Sequence, residues 1–307
     1  MKKTSVSPPA GTVRPLKGVR VLSLALNLPG PAALLRCSQM GARCVKIEPP
    51  QPAAAVQEIG GDPMRLYSAQ AYAALHTGVR VVVADLKIAK GQKAIHRELA
   101  RADVLLTSFR PSALKKLGLE FKTLRALYPT LSQVAIVGAP GSLAEIPGHD
   151  LTYMAENDLI TGLNLPATLY ADMGGALMAS EAVLQAMLCR ATNGKGVYLE
   201  VALSNSAAWL ALPRAWGLTT SGTVVGGGHA GYKVYPCQDG RVAVAALEPH
   251  FASRLCEAAG LNTSAADAPL APATHRAVAA WMLGKTRAQL DSLALANDIP
   301  LCTLSNI

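Results

Sequence analysis

The sequence has few aromatic side chains, few acidic residues and little charge overall for its 307 residues. Phe, Trp and Tyr make up 5% of the chain, which argues against a surface that binds nucleic acid by stacking bases on aromatic rings. Charged residues make up only 16% and hydrophobic residues 50%. This balance favours a packed globular protein over a disordered one.

Three further signals are absent from the sequence. No C-x-x-C pair occurs among the six cysteines, which favours buried free thiols in a reducing cytoplasm. The basic N-terminus has no apolar core of a secretory signal, and the helical run 173–189 carries Glu181 and Gln185, so no membrane span is expected. No G-x-G-x-x-G follows the first predicted strand, so a dinucleotide site of the usual kind is not expected.

The excess of basic over acidic residues gives a net charge of +9. A positive balance indicates anionic partners, such as nucleic acid, an anionic membrane or a phosphorylated small molecule. Lys and Arg are mostly scattered singly, and Lys115–Lys116 is the densest internal block. We therefore expect a phosphate-bearing ligand rather than nucleic acid, with a merely solvated basic surface as the open alternative.

Short apolar runs alternate with helical patterns over the first two thirds of the chain. Such runs are typical of strands buried on both faces, and the alternation predicts an α/β fold with a doubly wound, largely parallel sheet. The predicted strands cover 19–26, 42–48, 80–86, 103–109, 131–139 and 197–203. After a glycine-rich stretch at 221–231, two strands around Asp239–Gly240 predict a hairpin, followed by helical segments. We predict a large domain at 1–220 and a small domain at 221–307.

Asp172 precedes Gly174–Gly175 and a long helical run. The position suits an N-cap, because a carboxylate there accepts backbone N–H groups. It also suits catalysis, since a helix N-terminus with glycines could hold a substrate oxyanion at close range. The residues alone leave both interpretations open.

A His149–Asp150 pair and a single Glu248 are the other candidates. Asp150 could cap a helix while His149 faces solvent, or His149 could act as a general base near neutral pH. Glu248 follows an apolar strand and precedes Pro249, so it could cap a helix or orient a histidine across a cleft. The histidines and acids lack the tight spacings of a zinc or iron site, so no metal is expected.

Several stretches of the chain, from about residue 16 to residue 303, resemble the class III CoA-transferase family, and within it the α-methylacyl-CoA racemases. The resemblance rests on their number and order: "PLKGVRVLSLAL", "PGPAALLRCSQMGARCVKIEPP", "ADLKIAKGQKAI", "ADVLLTSFRPSALKKLGL", "GHDLTYMA", "YADMGGALMA", "RATNGKG" and "YKVYPCQDGRVAVAALEPHF". It implies a Rossmann-like large domain, a smaller α+β domain and an interlocked homodimer. It also implies acyl-CoA thioesters as substrates, with CoA entering as part of the thioester and no separate cofactor.

The resemblance also implies roles for individual residues. Lys46, Lys87 and Arg110 are expected to contact the phosphates or adenine of CoA, with Arg110 the best matched. His149 and Asp172 correspond to two opposed bases of the racemases, which remove and return the α-proton of a 2-methylacyl-CoA through an enolate. Asp150 is expected to hydrogen-bond Asp172, and Glu248 to orient His149. The oxyanion is expected at the helix start beside Gly174 and Gly175.

Two alternatives accompany the racemase hypothesis. In a class III CoA transferase, Asp172 would attack the thioester and carry the acyl group, without needing His149. The second alternative is a truncated, non-catalytic CoA-binding relative. It is suggested by the C-terminus, because the chain ends at Ile307 where relatives continue back to the large domain. His149 and Asp172 are 23 positions apart, closer than in racemase relatives.

Overall fold

The computed structural model describes residues 13–51, 60–261 and 268–305. The chain divides into two compact units, Met1–Ala211 and Leu212–Ile307. The boundary predicted from the sequence, at residue 220, lies a little further along the chain. Within the described ranges, no helix has both the length and the apolar character that crossing a membrane requires.

The first unit is built on a six-stranded sheet in which all neighbouring strands run parallel. Its order is β3-β2-β1-β4-β5-β6. The strands are β1 (Arg20–Ser23), β2 (Arg43–Glu48), β3 (Val79–Val83), β4 (Val104–Thr107), β5 (Ser132–Val137) and β6 (Tyr198–Ala202). The fold is therefore the predicted α/β type, with β1 and β4 adjacent at the point where the order reverses.

Helices cover both faces of this sheet. They are α1 (Pro29–Gln39), α2 (Met64–Tyr67), α3 (Ala69–Leu75), α4 (Ala89–Leu99), α5 (Pro111–Lys116), α6 (Phe121–Leu127), α7 (Asp150–Glu156), α8 (Tyr170–Asn193) and α9 (Leu203–Leu210). Adjacent residues of β1 pack on opposite faces of the sheet. Val21 packs with residues of α1 and α8, and Leu22 packs with residues of α4 and α5. Burial on both faces explains why these strands are continuous apolar runs rather than alternating ones.

The second unit contains a three-stranded antiparallel sheet with helices beside it. Strands β7 (Tyr232–Cys237), β8 (Gly240–Ala245) and β9 (Leu301–Ser305) pair in that order. The helices are α10 (Leu212–Ala215), α11 (Pro249–Ala258), α12 (Pro272–Leu283) and α13 (Arg287–Asn297). The predicted hairpin is present. The prediction that only helices follow it was wrong, because β9 pairs with β8 as an edge strand.

Candidate functional site

A cleft of about 240 Å³ opens where the carboxyl ends of β1, β4 and β5 meet, and we call it the carboxyl-edge cleft. In parallel α/β sheets, the crevice beside the reversal in strand order is the usual ligand position. The cleft brings together polar side chains from three connections between strands of the first unit. They are Asn27, Ser108, Arg110, His149, Tyr153 and Asp172.

Asp172 lies in the first turn of α8, two residues after the helix begins at Tyr170. Of the two interpretations left open by the sequence, the N-cap one is therefore wrong, because Leu169 holds the N-cap position. Burial raises the pKa of Asp172 to about 6, the Asp150 carboxylate adds to the rise, and His149 opposes it. A carboxyl group that titrates near neutral pH can both accept and release a proton.

His149 and Asp150 begin α7 on another side of the cleft. His149 is the exposed N-cap residue, and its backbone N–H donates to the Thr152 hydroxyl over 3.1 Å. Asp150 is the first helical residue rather than the N-cap, and it is only 5% exposed. Its Oδ1 accepts the backbone N–H of Asp172 over 3.0 Å, so the expected hydrogen bond between these residues is made through the main chain.

Gly174 and Gly175 serve helix packing rather than an oxyanion. A Cβ at Gly174 would lie 2.3 Å from Ser206 Oγ, and one at Gly175 would lie 2.2 Å from Leu203 Cδ2. Both glycines therefore allow α8 to approach α9 closely. Because α8 begins at Tyr170, their N–H groups lie beyond the first four of the helix and belong to its internal hydrogen-bond ladder.

The three predicted phosphate contacts have different environments. Arg110 is exposed, lines the carboxyl-edge cleft and holds the N-cap position of α5. Lys87 is exposed in the turn after β3 but does not line the cleft, so its role stays a prediction. Lys46 is 0% exposed, and the expectation that it contacts phosphate was wrong because its ammonium group is held inside the protein.

The ammonium group of Lys46 is surrounded by potential metal ligands. Its Nζ lies 3.0 Å from Glu48 Oε1 and 3.0 Å from His76 Nε2, and it also pairs with Asp62 Oδ2. Ligand atoms of Glu48, Asp62 and His76 lie within 4.8 Å of one another, a grouping that their wide spacing in the sequence did not predict. We call these four residues the lysine cluster. The ammonium group of Lys46 pairs with both acids, and burial lowers the pKa of His76.

The lysine cluster reaches the carboxyl-edge cleft through one main-chain contact. Asp62 Oδ1 accepts the N–H of Asn27 over 3.1 Å and that of Met64 over 2.9 Å. Asn27 has a left-handed backbone, with φ of 63°, and lines the cleft. The cluster therefore fixes the turn that leads from β1 into α1.

Sequence reasoning missed Tyr153, one helical turn after His149 on α7. Its ring is buried, and ideal Cβ atoms at Gly138 and Gly148 would lie 2.2 and 2.6 Å from its hydroxyl, so these glycines leave room for it. Burial raises the pKa of Tyr153, with Glu156 and Asp172 adding to the rise. Its position in the helix that begins directly after His149 was the available signal.

Glu248 belongs to the second unit. It is exposed, follows β8 at the N-cap of α11, and Pro249 is the first helical residue, as its sequence position suggested. Its side chain makes no cap hydrogen bond. The expectation that it orients His149 stays a prediction.

The chain is similar to enzymes of two kinds. It is 28% identical over 266 residues to the alpha-methylacyl-CoA racemase of Homo sapiens, covering 81% of this chain and 65% of that enzyme. It is also 28% identical over 281 residues to the succinate–glutarate CoA-transferase of Agrobacterium fabrum, covering 82% and 68%. The chain therefore spans about two thirds of the length of these relatives.

Solved structures support the fold. A crystal structure of a hypothetical protein from Mycobacterium tuberculosis matches with a TM-score of 0.77 at 24% identity, covering 95% of this chain and 85% of that one. The family model for CoA-transferase family III matches residues 16–307. From its sequence, its parallel sheet and the acids and histidine at the carboxyl edge, the chain is a member of CoA-transferase family III.

Proposed function

We propose that the protein racemises or epimerises 2-methylacyl-CoA thioesters at the α-carbon, with His149 and Asp172 as the two bases. The observation that carries this proposal is that both side chains line one cleft, where burial raises the pKa of Asp172 to about 6. A base that titrates near the working pH is suited to proton transfer from a weakly acidic carbon.

The proposed reaction is a proton exchange that needs no further reactant. The thioester carbonyl acidifies the α C–H bond, and one base takes that proton while the C–H electrons form a planar enolate. The second base then gives its proton to the opposite face of the same carbon. The carbonyl is restored, the configuration is inverted, and each base is left in the protonation state that the other had at the start.

Binding and charge stabilisation come from groups around the bases. The first N–H groups of α8 belong to Tyr170 and Ala171, and the positive end of a helix favours a developing oxyanion. These groups, rather than those of Gly174 and Gly175, are the donors we propose for the enolate oxygen. Arg110 would contact a CoA phosphate at the rim, since guanidinium groups bind phosphate oxygens in pairs.

Acyl transfer to Asp172 is the second candidate, and the similarity to a succinate–glutarate CoA-transferase favours it. A carboxylate oxygen of Asp172 would attack the thioester carbonyl carbon and expel CoA thiolate, leaving an acyl-aspartyl anhydride. The thiolate would then attack the aspartyl carbonyl, which releases the donor acid and leaves an aspartyl-CoA thioester. A second carboxylate would attack this thioester, expel the thiolate and form a new acyl-aspartyl anhydride. Attack of the thiolate on the acyl carbonyl of that anhydride would give the new CoA thioester and restore the carboxylate of Asp172. This chemistry needs Asp172 but leaves His149 without a role.

Deuterium incorporation separates the two candidates. We expect the full chain to exchange the α-proton of a 2-methylacyl-CoA with deuterated water. Both Asp172→Asn and His149→Gln should slow the exchange by about 10²-fold or more, the usual contribution of a general base. Glu181→Gln, an exposed acid on the same helix, is the matched control and should leave the rate unchanged.

Other outcomes have clear meanings. An acyl-aspartate trapped by hydroxylamine, with activity retained in His149→Gln, would establish acyl transfer instead. Tight binding of the thioester without exchange or trapping would support a CoA-binding protein without turnover. We infer a homodimer from the family resemblance and a cytoplasmic location from the cysteine pattern, and sedimentation of the full chain would test the oligomeric state.

A further inference from the structure

A second depression, of about 550 Å³, lies at the amino ends of β1, β2 and β3, at the opposite edge of the same sheet from the carboxyl-edge cleft. Five arginines line it, and we call it the arginine pocket: Arg14, Arg20, Arg43, Arg80 and Arg101. Its volume is within the range of about 300–1,000 Å³ that small-molecule sites occupy.

Strand register places two of these arginines side by side. Arg20 opens β1 and Arg43 opens β2, and the two are direct partners in the parallel pairing. Neighbouring strands lie about 4.8 Å apart, and like charges at such positions are destabilising. An anion held between the guanidinium groups would remove this repulsion, so the arrangement itself indicates a ligand of negative charge.

The nearby carboxylates are already engaged with other partners. Glu98, the acid in the pocket lining, pairs with Arg80 at 2.6 Å. Asp103 pairs with Arg190 at 2.6 Å and accepts the backbone N–H of Arg20. In the part of the chain that the structure describes, Arg14, Arg20, Arg43 and Arg101 have no carboxylate within 4 Å of their guanidinium groups.

The pocket has a defined frame rather than a loose surface. The N–H of Leu16 donates to the carbonyl of Met40 over 3.0 Å, which ties the segment before β1 to the end of α1. Arg14 packs so closely against Gly41 that a Cβ placed on Gly41 would lie 3.1 Å from the Cβ of Arg14. Val45 and Ala102, which are half-buried, supply apolar lining between the basic groups.

We propose that the arginine pocket binds a small anion that carries at least two phosphate groups, as a nucleoside diphosphate does. Guanidinium groups form paired hydrogen bonds with phosphate oxygens, and several of them can grip adjacent phosphates. The apolar lining suits a ligand with an organic part beside its phosphates. The proposal concerns a different edge of the sheet and does not rest on the proposed catalytic function.

Calorimetric titration with inorganic pyrophosphate at constant ionic strength tests this proposal on the full chain. We expect saturable binding that weakens at least tenfold in Arg43→Gln/Arg101→Gln. The charge-matched control, Arg97→Gln/Arg276→Gln, changes two exposed arginines outside the pocket lining and should bind as the parent chain does. Arg110→Gln should also retain the binding, because Arg110 lies at the carboxyl-edge cleft.

Three results would overturn the proposal. They are no saturable binding by the parent chain, equal loss in both double variants, or loss in Arg110→Gln with retention in the pocket variant. Repeating the titration with ADP and with a short single-stranded RNA identifies the chemical class of the ligand. Tighter binding of ADP than of pyrophosphate supports a ligand with an organic part, whereas preference for RNA over both would reject a small-molecule site.

Discussion

Asp172 and the lysine cluster are both buried ionisable groups of the first unit, but the structure treats their charge in opposite ways. Lys46 is fully buried, yet two carboxylates and an imidazole contact its ammonium group. Asp172 instead has a second carboxylate, that of Asp150, as its close neighbour. Buried charge is thus compensated at Lys46 by partners of opposite sign, whereas at Asp172 burial and a neighbouring carboxylate raise the pKa.

Removing the compensating cation should give the largest effect. In Lys46→Met, a side chain of similar length leaves Glu48 and Asp62 buried without their positive partner. We expect the free energy of unfolding of the full chain to fall by about 3–5 kcal/mol, as for other broken buried pairs. Urea denaturation followed by circular dichroism measures it.

The exposed Lys87 provides the control for that experiment. Lys87→Met should change the free energy of unfolding by less than about 0.5 kcal/mol, as surface substitutions usually do. If Lys46→Met were no less stable than Lys87→Met, Lys46 would not be compensating the buried charges of the lysine cluster.

Replacing Asp172 should change the free energy of unfolding in the opposite direction. The pKa of Asp172 rises from its ordinary 3.8 to about 6 in the folded protein, so ionisation destabilises the fold as pH rises through this window. Asp172→Asn avoids that cost. Its advantage in free energy of unfolding over the parent chain should grow by about 1–1.5 kcal/mol between pH 5 and pH 7.5.

Parallel urea titrations at the two pH values measure this difference, with Glu181→Gln as the control. An advantage for Asp172→Asn that is constant with pH would contradict the raised pKa. An advantage that shrinks as pH rises would mean that the pKa of Asp172 is lowered in the folded protein rather than raised.

The smallest expected effect comes from replacing Asp150, the carboxylate beside Asp172. In Asp150→Asn the side-chain oxygen can still accept the Asp172 N–H, but the negative charge is lost, so the pKa of Asp172 should fall. The acid limb of the pH profile for α-proton exchange should therefore move to lower pH. Glu156→Gln, on the exposed face of α7, should leave that limb in place. An unmoved limb in Asp150→Asn would mean that burial alone sets the pKa of Asp172.

Local pattern predicted the sheet well, because strands covered on both faces need continuous apolar runs. It also singled out His149 and Asp172 as candidates, since both stand near helix starts, and the structure places both at one cleft. It placed the start of α8 too late, because Leu169 and Tyr170 carry no capping signal. It misassigned β9, a short strand at the edge of the second sheet whose residues are mostly half-buried or exposed.

The role of Lys46 could not be predicted from its surroundings in the chain. Its partners include Asp62 and His76, which lie 16 and 30 positions away and meet it only in the folded chain. The arginine pocket has the same origin. Arg20 and Arg43 are remote in sequence, and only the register of the parallel strands makes them neighbours.

His149, Asp150 and Asp172 all lie on the single connection between β5 and β6. None of them is part of a strand, and the mostly exposed segment 161–169 lies between the two helix starts that carry them. These candidate residues can thus be respaced by insertion or deletion in one surface loop while the register of β5 and β6 is untouched. Such modularity lets one scaffold change its chemistry without refolding its core, and it makes this loop the natural target for redesign.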